Sequence, residues 1–301
     1  MASTVLMKSQ DNSRSPGTVG RDTIFSLGHS PDPDDAFMFY AMAAKKINLR
    51  GYKFEHQLED IQTLNERALR GELHISAISI HAYASVTDRY ALLPCGASMG
   101  DGYGPLIVTN QTPETSESSD FLRDKTIAVP GKLTSAFLAL QLYLGSFKHV
   151  VVPFDRIFET VKIGQADAGL LIHEGQLTYA DAGFRKILDL GEWWKTRTGL
   201  PLPLGGNVLR KDIPPEIQRD LLTIVRASIE FGLSHRAEAV EHSMLYARNM
   251  DNVLAAKFIG MYVNDYTRDY GETGRQAIQR FLGEACAAGY IDRDFAIEFV
   301  R

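Results

Sequence analysis

Asp155-Arg-Ile-Phe-Glu-Thr-Val-Lys-Ile-Gly-Gln-Ala-Asp-Ala-Gly-Leu-Leu-Ile-His-Glu-Gly175 reads as a helix, a stop and a buried strand that ends in a histidine. Phe158 and Val161 supply the apolar face of the helix over Asp155–Ile163, Gly164 ends it, and Ala168–Ile172 is an apolar run of strand length. The same order occurs upstream. A helix over Ile61–Arg70 carries Leu64 and Ala68, Gly71 stops it, and the strand His74–Ile80 leads into His81. Each unit has a strand before it, Val150–Val152 in one and Tyr52–Leu58 in the other.

Further out, the strand Thr23–Gly28 passes through Ser30-Pro-Asp-Pro-Asp-Asp35 into a helix over Asp35–Lys45 that is apolar almost all round. Proline and acidic residues suit a helix start, where an N–H is dispensable and the macrodipole is positive. The strand Thr126–Pro130 passes through Gly131-Lys-Leu into a helix over Thr134–Leu144. Strands alternating with helices at this spacing predict the α/β class and a largely parallel sheet. Leu200-Pro-Leu-Pro-Leu-Gly-Gly206 reads as an extended return crossing, followed by helices over Glu216–Leu233, Ala237–Met250 and Gly274–Ala288. The expected organisation is therefore a disordered leader over 1–22, a first lobe from 23–110 and 203–301, and a second lobe from 111–202. Leu106–Thr109 is the first crossing, and a ligand cleft lies between the lobes.

Of the 301 residues, 45% are hydrophobic and 23% charged, enough apolar content for a sizeable core. A net charge of -5 without a dense basic run argues against a nucleic-acid partner. No apolar run is long enough to cross a bilayer, and the N-terminal residues lack a signal-peptide core. A soluble cytoplasmic protein is expected. Two cysteines, Cys95 and Cys286, are too few for a disulfide framework or a cysteine-built metal site.

Several motifs fail on context. Gly96-Ala-Ser-Met-Gly100 matches the nucleophile-elbow pattern, but Asp101-Gly-Tyr-Gly-Pro105 cannot continue as the helix that motif requires. The same glycines precede a strand, so they are no dinucleotide loop. Asp32, Asp34 and Asp35 are explained as helix-start acids without a metal. His235 and His242 are expected to be exposed, and Trp193-Trp194 to pack a helix on its lobe.

Two features survive. His173 follows an apolar strand, where α/β folds present side chains to a crevice, and imidazole suits acid–base work near neutral pH. A structural histidine bonded to backbone fits that position equally well. Gly131-Lys-Leu-Thr-Ser135 opens a helix after a strand; its N–H groups and two hydroxyls can cradle an anion or simply cap the helix.

Ser30-Pro-Asp-Pro-Asp-Asp-Ala-Phe37, Ile75-Ser-Ala-Ile-Ser79, the 131–135 loop, Ile172-His-Glu-Gly175, Gly199–Gly206 and Met261-Tyr-Val-Asn-Asp265 occur in this order. Together they resemble the 1,4-dihydroxy-6-naphthoate synthase family of the futalosine route to menaquinone, over about residues 23 to 290. The resemblance implies the two-lobed, periplasmic-binding-protein-like (type 2) fold. It also implies a cofactor-independent carbon–carbon lyase that cleaves cyclic dehypoxanthinyl futalosine to 1,4-dihydroxy-6-naphthoate and dihydroxyacetone. It places the proton-accepting histidine on His173 and substrate contacts on Ala77, Ile78, Ser79, Thr134 and Ser135. The implied partner is a small carboxylate, and no metal is required. Members often carry Lys where this chain has Ala77, Cys at Asp32 and Asn at Asp34, so a more acidic pocket is expected. Chorismate dehydratase of the same pathway and a non-catalytic cytoplasmic solute-binding protein are the rival readings.

Overall fold

A computed structural model describes residues 23–112, 118–247, 250–292 and 295–301. The leader expected over 1–22 lies outside the described residues.

Eleven strands are formed among the described residues: β1 (Ile24–His29), β2 (Lys53–Leu58), β3 (Ile75–Ser79), β4 (Tyr90–Leu92), β5 (Ser98–Gly100), β6 (Leu106–Thr109), β7 (Thr126–Val129), β8 (Lys148–Val151), β9 (Ala168–Leu171), β10 (Arg185–Asp189) and β11 (Leu202–Arg210). They make two sheets. The first runs β2-β1-β3-β11-β4, with β5 also on β11, and the second runs β10-β6-β9-β7-β8. In each, three strands of βαβ origin are parallel: β1 lies between β2 and β3, and β7 between β8 and β9. An antiparallel strand then flanks the third, β11 beside β3 and β6 beside β9. The repeat in the sequence is thus a repeat in topology.

One boundary moves. The sequence pattern puts Leu106–Thr109 in the first lobe, yet β6 pairs with β9 and β10 in the second sheet. The chain crosses between Gly100 and Leu106, through Asp101-Gly-Tyr-Gly-Pro105. The long helix expected over Ala237–Met250 is also interrupted: helices form over Arg236–Ser243 and Asn252–Tyr262 instead. The Asp251 side chain accepts from Leu254 N–H and caps the second of these.

The helix Pro33–Ala43 buries nine of its eleven residues. Phe37, Met38 and Phe39 pack with Phe25, Leu27, Ile224 and Val225 in the first lobe's core, each such side chain contributing about 1.5–3 kcal/mol. A second core is shared by the lobes. Tyr83, Tyr90 and Leu92 of the first meet Ile107, Ile127 and Leu170 of the second, with Trp194 and Phe281 among them. Trp194 lies edge-on to Phe281 at 5.4 Å, the packing role expected of the tryptophan pair. His235 is exposed, but His242 is half-buried against Tyr40, ring centroids 4.6 Å apart.

Candidate active site

A cavity of about 130 Å³ lies where the lobes meet, many times the roughly 10–15 Å³ that one water needs. The first lobe contributes Asp32, Asp34 and Asp35 at the start of the helix 33–43, then Ala77, Ile78 and Ser79 of β3 and Leu204–Asn207 of β11. Phe258 and Tyr262 enter from the helix 252–262. The second lobe contributes Thr134, Ser135 and Ala136 at the start of the helix Ser135–Leu144, with Ile172 and Gln176 beyond β9.

The structure therefore brings Ala77, Ile78, Ser79, Thr134 and Ser135 to one wall space. The two hydroxyls of the helix start are, however, already engaged. Thr134 Oγ1 accepts from Phe137 N–H at 3.1 Å and donates to Gly131 O at 2.9 Å. Ser135 Oγ accepts from His81 N–H at 3.1 Å and donates to Leu204 O at 2.6 Å, tying the second lobe to the first. Backbone N–H groups at the helix start are what that cradle offers a ligand.

Two residues of the helix Ile61–Arg70 reach across to the same loop. Leu133 N–H donates to Gln62 Oε1 at 3.1 Å, and Asn65 Nδ2 donates to Leu133 O at 3.4 Å and to Ser79 Oγ at 2.9 Å. A Cβ at 131 would stand 2.1 Å from Gln62 Oε1, so any side chain there would displace Gln62 from Leu133 N–H.

His173 sits just past β9, but its ring does not line the cavity. Its Nδ1 accepts from Gly175 N–H at 3.0 Å, and Nε2 lies 3.0 Å from Phe154 O. Nε2 therefore carries the proton. The ring is buried edge-on against Phe154 and Phe158. Both nitrogens are bonded to backbone, the arrangement of the structural alternative.

The charge on the cavity wall is acidic. Asp35 Oδ2 accepts from Ser30 N–H at 2.6 Å, while burial pushes its carboxyl up to about 6. Burial and the neighbouring Asp35 and Asp32 charges hold Asp34 well above the ordinary carboxylate range. Neither Lys nor Arg is among the residues described as lining the cavity. Among the described residues no group of three or more His, Cys, Asp or Glu is placed to hold a metal ion.

Sequence reasoning missed Gln176, Asn207, Phe258 and Tyr262. The Tyr262 hydroxyl donates to Gln176 Oε1 at 2.6 Å, joining the lobes on the other side of the cavity. Asn207 carried a usable signal, an amide inside the apolar strand Leu202–Arg210.

A family model described as menaquinone biosynthesis matches residues 25–287, which include the wall segments of both lobes. The chain belongs to this menaquinone-biosynthesis family. A Thermus thermophilus relative named 1,4-dihydroxy-6-naphthoate synthase is 40% identical over 87% of this chain and 94% of its own length. A Streptomyces coelicolor relative of the same name is 36% identical over 91% and 96%. Among solved structures, an Archaeoglobus fulgidus protein is 45% identical, covers 89% of this chain and 98% of its own, and superposes with a TM-score of 0.84. A Candida albicans protein described as having the generic periplasmic binding protein fold is only 12% identical but reaches 0.70 over 93% of this chain and 98% of its own. The fold of this family member is periplasmic-binding-protein-like. No helix among the described residues is long and apolar enough to cross a membrane.

Proposed function

We propose that this chain is a 1,4-dihydroxy-6-naphthoate synthase, cleaving cyclic dehypoxanthinyl futalosine to 1,4-dihydroxy-6-naphthoate and dihydroxyacetone in the inter-lobe cavity. The observation that carries this reading is the length of the likeness: two relatives of that name match at 36% identity or better across 87% or more of this chain. The driving force is aromatisation of the released ring system, so the protein has to position the substrate and move a proton. Neither task calls for a metal or an organic cofactor. The substrate's carboxylate is held by the backbone N–H groups at the start of the helix 135–144, whose dipole favours an anion there.

The base in this reading is His173. Ile172 and Gln176, on either side of it, line the cavity. To accept a substrate proton the ring has to leave Gly175 N–H and Phe154 O and turn toward the cavity, a local rearrangement of the 173–175 turn. The engaged ring also favours a second reading, a protein that binds a small molecule without transforming it.

Incubation of the purified protein with cyclic dehypoxanthinyl futalosine, and separately with chorismate, decides between these. Naphthoate from the former supports the proposal. Consumption of chorismate alone assigns the dehydratase reaction, and binding with no turnover of either assigns the binding protein.

A further inference from the structure

Two buried side chains on the cavity wall each leave one polar atom without a hydrogen-bond partner. Asn207, 1% exposed, donates through Nδ2 to Gly96 O at 3.1 Å, which fixes the orientation of its amide and leaves Oδ1 unmet. Gln176, 5% exposed, accepts the Tyr262 hydroxyl on Oε1 and leaves Nε2 unmet. Buried polar atoms in folded proteins are nearly always paired, because an unmet one keeps its full desolvation cost. Here the two residues line the same cavity, one from each lobe.

One is an acceptor and the other a donor, yet they do not bond to each other. A hydroxyl carries the complement of each, an O–H for Asn207 Oδ1 and a lone pair for Gln176 Nε2. A carboxylate satisfies only the second and would face Asp32, Asp34 and Asp35 with neither Lys nor Arg described on the wall. We propose that Asn207 and Gln176 are specificity-determining residues that together read a substrate hydroxyl, on the end that leaves as dihydroxyacetone. This rests on the naphthoate-synthase reading. It orients the substrate: the hydroxyl-bearing end lies between β11 and Gln176, and the carboxylate lies at the start of the helix 135–144.

Gln176→Glu keeps the oxygen that Tyr262 bonds and turns the donor into an acceptor. Asn207→Leu removes the acceptor. Each is expected to raise KM for cyclic dehypoxanthinyl futalosine at least about tenfold, more than it lowers kcat, as expected for lost binding. Saturation-transfer NMR supplies a readout independent of turnover. Wild type should show transfer to dihydroxyacetone, and both variants should lose it. The variants lie in different lobes, so misfolding of one leaves the other to decide. Unchanged KM in a folded variant, or dihydroxyacetone transfer retained in the folded variants, overturns the inference. Should wild type release no naphthoate, the functional reading fails, and the NMR comparison still decides whether this pair reads a hydroxyl.

Discussion

His173 is the residue on which sequence and geometry pull apart. Its place after β9 is where a crevice-facing base belongs, but the ring is held by Gly175 N–H and Phe154 O. His173→Asn separates the two roles. As base, its loss lowers turnover at least about 100-fold with binding retained. As a brace for the 173–175 turn, its loss costs about 1–3 kcal/mol of stability and leaves turnover near wild type. Loss of turnover is the expected result, measured beside urea unfolding. Titrating residues elsewhere have opposite signs. Burial lowers His29 and His56 to about 4, so the unfolded chain takes up protons first as pH falls below about 6.5, the ordinary histidine value. Each histidine then removes up to about 1.4 kcal/mol of stability per pH unit down to its folded value. Asp34 is raised, so the folded chain holds its proton longer and the destabilisation is complete only above the raised value. Asp34→Asn should therefore raise the unfolding midpoint at pH 7 and leave it unchanged near pH 3.5. A lower midpoint at pH 7 would refute the strain assigned to the acidic wall.

At the scale of elements, the start of the helix 135–144 serves the lobes as much as the ligand. Ser135→Ala leaves His81 N–H and Leu204 O without their shared partner. It should cost about 1–3 kcal/mol in urea unfolding, whereas a hydroxyl serving only as a ligand contact would cost nothing without ligand. The βαβ units were legible because each is local: Leu64 and Ala68 before Gly71, Phe158 and Val161 before Gly164. Sheet membership was not. Leu106–Thr109 is buried throughout and carries no record of which neighbours it pairs with. β4 and β5, three residues each, are too short to show a period. Of the site, the segments that contact backbone in both lobes could be read from the helix starts. Tyr262 and Gln176 could not, because nothing local shows that positions 86 apart will share a hydrogen bond.

Across the whole molecule, the described residues form two sheets with one continuous core between them, running from Tyr83 and Leu92 through Trp194 and Phe281 to Ile127. Unfolding followed by far-ultraviolet dichroism and by tryptophan fluorescence should therefore give coincident transitions. Two separated transitions would show that the lobes are independent units. The most direct measurement is the product balance when purified protein meets cyclic dehypoxanthinyl futalosine with no added cofactor. Equal yields of 1,4-dihydroxy-6-naphthoate and dihydroxyacetone, at a rate proportional to protein, are the predicted result; substrate recovered intact would contradict it.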